Sequence, residues 1–527
     1  MQMYTDVLGR QDQKIRGREH LMTKTSDGAY AFKVDDWGRL SRFLILGADS
    51  PTYYASRRQV IRDNAQVVDR CLQNDGIKTV DFIAEVSIQG LAPNNDPAIF
   101  ALAMASLANN VVTRKYALSR LPDVCRIGTH LFHFVAYREG LGGGWGRATR
   151  RAVRDWYNGL SVDKLAYQVT KYKQRDGWSH RDLLRLSHPQ TQDAVRNDVY
   201  RWVTRDEKGD NLPARIFAAI DVHSLPKKQA LKLIADHHLT HEMVPNEMKG
   251  DGATWDVLLH NMPMMAMVRN LGKMTSVGLL KPMSRATKTV VERLGDVERI
   301  GRARVHPIAL LTALRTYERG QGDKGSLTWQ PVSAISTALE EAFYLSFKTI
   351  EPTGLNTGLY LDVSPSMNCQ TSFAGLTPRE LSAAMALVTA HVEPNHEIFA
   401  FAGGNNVSVP GVRRGMSIKE AVNCVSGIAW GGTDLSLPFV SARHNKLDIE
   451  VFVVYTDNET NNFRGPHPSE ALKSYRRETG IDAKSIVVGM TSNNISIADP
   501  MDRGMLDVVG FDSSAPSIMS EFARGMI

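Results

Sequence analysis

The feature that most constrains this chain is a change of hydrophobic rhythm near Glu351-Pro352-Thr353-Gly354. From about residue 35 to 345, apolar residues recur at three- and four-residue spacing, as in WGRLSRFLIL (37–46), DPAIFALAMASLAN (96–109), the run around 129–137 and KKQALKLIADHH (227–238). That period puts the apolar side chains on one face of a helix, and the face needs a partner to cover it. Pro51, Pro93, Pro122, Pro189, Pro213, Pro245 and Pro263 punctuate the stretch. Many helices, short turns and no strand signal predict stacked helix pairs, as in degenerate HEAT-like repeats, where only the buried face must recur. After Gly354, GLYLDVS (358–364), EIFAFAG (397–403), DIEVFVVYTD (448–457), AKSIVVGM (483–490) and MLDVVGF (505–511) read as short buried strands. Helical segments alternate with them: TPRELSAAMALVTAHV (377–392), SIKEAVNCVS (417–426), SEALKSYRRET (469–479) and a closing PSIMSEFARGM. Thr377 and Glu380 have capping-box spacing. Alternating apolar strands and helices predict a parallel, doubly wound α/β sheet covered by helices.

Charge divides along the same line. Residues 356–527 hold 13 Lys/Arg against 18 Asp/Glu, a net of −5, and residues 1–355 hold 50 against 38, a net of +12. A positive portion joined to a negative one places any polyanion on the N-terminal portion. Cys71, Cys125, Cys369 and Cys424 are too few and too scattered for a disulfide framework or a zinc site, which points to a reducing, cytoplasmic setting. The first twenty residues have no apolar core of a signal peptide, and no run of about 18 apolar residues is present to span a membrane. Residues 1–24 read as a polar extension, either free or tied down on another surface.

In open α/β sheets ligands sit beyond the carboxyl ends of the strands. Three clusters fall there: Asp362-x-Ser364-x-Ser366 after the first strand, Thr433 in the GGTDLS turn before a helix, and Asp457 at the end of VFVVYTD. Two carboxylates and three hydroxyls form a hard oxygen set that suits Mg²⁺, or Mn²⁺. Singly, each of these residues reads as a helix cap or turn former; together, in this order, they read as a metal site. A nucleophilic serine has no G-x-S-x-G elbow to sit on, and the P-loop, GxGxxG and HExxH patterns are absent.

The basic residues crowd between 145 and 188. In WGRATRRAVRDWYN, Arg147, Arg151 and Arg154 share one side of a helix with Arg150 near it, while Ala148, Ala152 and Trp156 line another. TKYKQRDGWSHRDLLRLSH follows, with Lys171, Lys173, Arg175, His180, Arg181, Arg185 and His188 around Tyr172 and Trp178. Guanidinium forks grip phosphate and aromatic rings stack on unpaired bases, so the segment reads as an RNA surface. The competing reading is a solvated helix face paired with Asp155, Asp176 and Asp182.

The last two segments, with RNLGKMT (269–275), EPTG (351–354), TDNET (456–460), MTSN…IADPMDRGMLDVVGFD (490–512), DGAY (27–30) and GRLSRFLILGADSPTYY (38–54), closely resemble the Ro autoantigen (TROVE) family. Pro365 within the serine loop departs from the small residues common there, and residues 1–24 and 189–235 lack a recognisable match. The resemblance implies a TROVE ring of HEAT-like repeats over residues 25–355. A von Willebrand factor A domain over 356–527, carrying a metal-ion-dependent adhesion site, would complete the ring. It implies small noncoding Y RNAs on the outer surface and single-stranded 3′ ends of misfolded RNA in the central cavity. By motif match, Lys171, Arg175 and His188 are outer-surface RNA contacts, and Arg147, Arg150 and Arg151 are cavity or rim contacts. Arg269 and Lys273 fall in a further matching motif.

The expected protein is therefore a monomeric, nonenzymatic RNA-binding scaffold for noncoding RNA quality control, with an exoribonuclease as a further partner. Two other classes stay in view. One is a metal-dependent protein-adhesion module, for which a +12 helical portion has no use. The other is a metal-dependent nuclease, which needs more clustered carboxylates than Asp362, Asp457 and nearby Asp434.

Overall fold

A computed structural model describes residues 14–25, 28–47, 57–322, 325–347, 351–369, 376–403, 407–428, 431–460, 465–491, 494–510 and 513–527; for residues 57–64 and Ser426 it gives the backbone alone. The chain forms two compact units. One gathers Val68–Gly90 and Asn94–Ser346; the other gathers Phe347–Ile527 with residues up to Val67 and Leu91–Pro93. Strands in chain order are β1 (Met22–Lys24), β2 (Tyr30–Lys33), β3 (Gln174–Arg175), β4 (Trp178–Ser179), β5 (Thr357–Asp362), β6 (His396–Phe401), β7 (Val407–Ser408), β8 (Val451–Thr456), β9 (Lys484–Gly489), β10 (Ile495–Ser496) and β11 (Met505–Val509).

The first unit is helices packed on helices. Helix Asp96–Ala105 lies against both Gly76–Gln89 and Gly128–Gly140, and Pro307–Arg319 lies against Ser333–Leu345. Flanked on two sides, Asp96–Ala105 is apolar nearly all round, with Ala98, Ile99, Ala101, Leu102, Ala103 and Ala105 buried. Several helices of the unit start on side-chain caps: Asp75, Asn110 and Ser161 each accept a hydrogen bond from the first turn of the helix that follows.

The expectation of helices without strands over about residues 35–345 fails at one hairpin. Strands β3 and β4 pair antiparallel around Asp176 and Gly177, whose φ values are +51° and +81°. Both positive values suit a tight hairpin turn, and Asp-Gly is a strong signal for one; the surrounding charge masked it. Strands β1 and β2 are too short to show a two-residue period. They gain a third partner only in space, where β2 pairs antiparallel with β10.

The second unit is built on a six-stranded sheet in the order β11-β9-β8-β5-β6-β7. All neighbours are parallel except the edge strand β7. β5 and β8 are buried along their whole length, so both faces are covered. Tyr360 and Phe452 face Phe439 and Tyr475 of helices Leu437–His444 and Pro468–Thr479. Helix Pro378–Val392, which opens on the capping box of Thr377 and Glu380, lies against β5 and β8. Because β5 and β8 run parallel in register, the ends carrying Asp362 and Thr456–Asp457 meet at one edge.

The N-terminal residues are tied down within this unit. Ile15, Met22 and Phe32 form a small apolar cluster, Arg18 pairs with buried Asp499, and helix Asp36–Leu46 packs on β11. Arg42 on that helix is 1% exposed. Its Nη2 donates to both Asp507 oxygens at 2.8 and 2.7 Å, and its Nη1 to the Ile495 carbonyl at 2.9 Å. Such a pair contributes little beyond an apolar substitute, but losing one member leaves the other stranded. Arg42→Ala should therefore cost about 3 kcal/mol in denaturant unfolding. A loss below about 1 kcal/mol would show that the clasp does not hold the N-terminal helix on the sheet.

Candidate functional site

At the sheet edge, Asp362, Ser364, Ser366, Thr433 and Asp457 are all buried, none above 5% exposed. The loop after β5 folds back on itself: the Ser364 amide donates to Asp362 Oδ1 at 2.9 Å, and the Ser364 and Ser366 hydroxyls lie 3.0 Å apart. Asp362 Oδ2 accepts from Thr456 Oγ1 at 2.8 Å, and Ser366 hydrogen-bonds the Asp457 carboxylate. The Thr460 hydroxyl donates to the Thr433 carbonyl at 3.2 Å, joining the third loop to the second. Of the sequence-predicted donors, Asp362, Ser364, Ser366 and Asp457 converge through these bonds, and Thr433 is joined through its backbone carbonyl. Asp434 closes the turn before the next helix, accepting from the Ser436 amide and hydroxyl at 3.0 and 2.7 Å.

Burial, followed by the charge of Asp362, pushes the Asp457 carboxyl up to about 8, and burial raises Asp362 as well. Two buried carboxylates side by side cannot both ionise without a nearby positive charge. Arg379 supplies part of it: its Nη2 donates to the Val363 and Ser364 carbonyls and its charge favours ionised Asp362. The donor chemistry, two carboxylates with the Ser364 and Ser366 hydroxyls, is a hard oxygen set of the kind that suits a small divalent cation. No group of three His, Cys, Asp or Glu occurs among the described residues, so hydroxyls must complete any such shell. Arg379 and Thr456 were not singled out in the sequence; a buried arginine in the first turn of a helix has no signature of its own.

The basic residues build a second surface in the helical unit. Helix Arg147–Gly159 buries Thr149, Val153, Trp156 and Tyr157, not the Ala148 and Ala152 row expected; Ala148 is exposed. The arginine side is as predicted: Arg147, Arg150 and Arg151 are exposed, and none forms an ion pair among the described residues. Trp145, just before this helix, stands 5.8 Å from Trp178 of β4, so the arginine helix and the hairpin present half-exposed indoles together. Arg175 is exposed on β3, opposite Trp178, with Lys173 just before it and His188 exposed after the next helix.

The carboxylates that could have neutralised them are engaged elsewhere. Asp182 completes a capping box with Ser179, accepting its amide at 3.0 Å, and Asp176 pairs with His133. Asp155 meets only its neighbour Arg154, at 3.5 Å, on an exposed face where such a pair is weak. Arg181 and Arg185 do have partners, Asp206 and the Thr204 carbonyl. An open cleft of about 480 Å³ beside the hairpin is lined by Glu139, Asp176 and Asp182 as well as Trp178 and Arg185, and those carboxylates disfavour phosphate there.

Four predicted residues behave differently. Lys171 is half-buried, with its Nζ 2.9 Å from the Tyr167 hydroxyl, 3.7 Å from Glu242 and above the rings of Tyr167 and Tyr172. Burial works to lower its pKa, but the Tyr167 hydrogen bond and the charges of Tyr172, Tyr167 and Glu242 outweigh it and hold the ammonium above its usual value. His180 belongs to the core: it bonds the Tyr157 hydroxyl at 2.7 Å, and burial pushes it down to about 4, so it is neutral. Arg269 and Lys273 share a face of helix Met264–Ser276 with no ion pair to the hairpin among the described residues. Two cations the sequence reading passed over join the cluster. Lys249 stands beside Lys173, and Arg215 lies over the Tyr167 ring at 5.6 Å. Both come from segments distant in sequence, so no local pattern marks them.

Comparison with known proteins agrees with this division. Residues 357–523 match a family described as the Ro60 vWA domain, and residues 23–236 and 229–316 match the TROVE domain, including the stretch 189–235 in which no motif was recognised. The chain is 39% identical over 524 residues to the RNA-binding protein RO60 of Deinococcus radiodurans, covering 96% of each. It is 35% identical over 603 residues to that of Caenorhabditis elegans, covering 98% of this chain and 92% of the other. The crystal structure of the Deinococcus radiodurans Ro protein matches with a TM-score of 0.70 and 38% identity, over 94% of this chain and all of that one. The chain belongs to the Ro60 family, with a TROVE region followed by a von Willebrand factor A domain.

Proposed function

We propose that this protein binds small structured RNA of the Y type on the hairpin surface and holds RNA without cutting it. The observation that carries the reading is the group of exposed cations, Arg147, Arg150, Arg151, Lys173 and Arg175, lacking carboxylate partners among the described residues and grouped with Trp145 and Trp178. Phosphates are the natural partners of such guanidiniums, and the indoles offer stacking faces to unpaired bases. The relatives named as RNA-binding proteins support the same reading. On it, the protein serves noncoding RNA quality control as a monomer, takes single-stranded 3′ ends of misfolded RNA at a further site and presents RNA to an exoribonuclease. The free cysteines fit a reducing, cytoplasmic setting. Asp362, Ser364, Ser366, Thr433 and Asp457 bind Mg²⁺, or Mn²⁺, as a structural and recognition site.

The triple variant Lys171→Ala, Arg175→Ala, His188→Ala should lose small-RNA affinity. Its log–log salt dependence should become shallower by about 0.9 for each duplex phosphate contact removed. Equal slopes for variant and parent would reject the surface. Lys171→Ala alone should also lower the melting temperature, because Tyr167 and Glu242 lose their cation.

The raised Asp457 pKa predicts how the metal-free protein responds to pH. The folded state holds a proton that the unfolded chain, with its ordinary carboxyl near about 4, has released. Stability should therefore fall as pH rises from about 4 towards about 8. Mg²⁺ replaces that proton, so it should raise the melting temperature more at about pH 8.5 than at about pH 5. Asp362→Ala should remove the Mg²⁺ effect, and an equal Mg²⁺ effect at both pH values would count against the site. Labelled RNA should stay intact with Mg²⁺ present; shortening that disappears in Asp362→Ala would establish a nuclease instead.

A further inference from the structure

We infer that Arg126 and Arg304, in the helical unit, form a phosphate-gripping pair separate from the hairpin surface. The inference rests on the RNA-binding reading for its ligand but on none of that reading's residues. Arg126 follows the short helix Leu121–Val124, is half-buried, and its Nε has no hydrogen-bond partner. Arg304 is exposed and caps helix Val297–Ala303 in a left-handed conformation, φ +49°. A long side chain adopts that backbone only at a cost, and such strain gathers at functional positions.

The segments that carry both adjoin the end of helix Gly76–Gln89. Its Ser87 hydroxyl meets the Val124 carbonyl at 3.5 Å, and a Cβ at Gly90 would lie 3.4 Å from Arg304 Cβ. Burial and then the Arg304 charge hold Arg126 below its usual pKa, and no carboxylate acts on it in the other direction. The nearby Asp123 is taken by Arg120 at 2.6 Å. His130 beside them is pushed down to about 4 by burial and then by Arg126 and His133, so it is neutral and gives no counter-charge.

Arg120, one turn away, shows what a structural arginine does in this environment: it pairs with Asp81 and Asp123, both at 2.6 Å. Arg126 and Arg304 have no ion pair among the described residues and repel one another. An arrangement that destabilises the empty protein is relieved by an anion, and two planar forks suit the oxygens of a single phosphate. That phosphate belongs to an RNA backbone or is free inorganic phosphate.

The test compares the full-length parent with Arg126→Gln, Arg304→Gln, the double variant and, as reference, Arg175→Gln. A single-stranded RNA oligonucleotide is titrated across a NaCl series. Each single variant should lose about tenfold in affinity, the worth of a charged hydrogen bond. Each should make the salt slope shallower by about 0.7, one single-strand phosphate. The double variant should lose no more slope than either single, because one phosphate is shared. Without ligand, Arg304→Gln should melt no lower than the parent; a lower melting temperature with an unchanged slope would make Arg304 a structural cap and overturn the inference. Inorganic phosphate that stabilises the parent but not the double variant, with unchanged RNA binding, would assign the pair to free phosphate. Unchanged RNA affinity and no phosphate effect in the double variant, with Arg175→Gln weakened, would refute the pair and leave the RNA surface standing. If Arg175→Gln is unchanged as well, the RNA surface fails with it.

Discussion

A carboxylate that is engaged by its own chain is not free to neutralise a neighbouring arginine, and the exposed cationic surface depends on that competition. Asp182 sits three residues from Ser179 and is drawn into the capping box that starts helix His180–Ser187. Asp176 occupies the hairpin turn and faces His133. Both aspartates lie within a few residues of Arg175 in sequence, yet local backbone geometry assigns them elsewhere. Arg175 and the exposed face of helix Arg147–Gly159 are left to solvent and to whatever anion arrives. Arg181 and Arg120, by contrast, find aspartates of their own and serve the fold.

The sheet unit has the opposite electrostatics. Asp362 and Asp457 are buried where parallel strands end, and each raises the cost of charging the other. The net charges of the two portions, −5 and +12, are the coarse trace of these local arrangements. The anionic cluster is enclosed, whereas the cationic residues lie exposed.

The N-terminal segment is part of the sheet unit in a way its sequence position does not suggest. β2 extends β10 by antiparallel pairing, and Arg42 reaches Asp507 and the Ile495 carbonyl from the adjoining helix. Thr25 donates to the Thr460 carbonyl at 3.1 Å, and Thr460 in turn donates to the Thr433 carbonyl. The first described residues thereby touch the loops that carry the metal candidates.

Much of this was legible from local pattern. The 3.6-residue period marked the helices, the alternation after Gly354 marked the sheet, and D-x-S-x-S, Thr433 and Asp457 fell at strand ends where a parallel sheet must gather them. The hairpin was legible too, in Asp176-Gly177, but a run of charges concealed it. Periodicity depends only on near neighbours, so the sequence by itself determined element type, the order of the two portions and the chemical kind of each site. Pairings between residues far apart in the chain leave no periodic trace. Only the tertiary structure could decide that His180 is a neutral core residue, that Lys171 is held by Tyr167 and Glu242, that β2 joins β10, and that Arg126 stands near Arg304 without a carboxylate. Burial and partner choice set each of those outcomes, and both are properties of three-dimensional proximity.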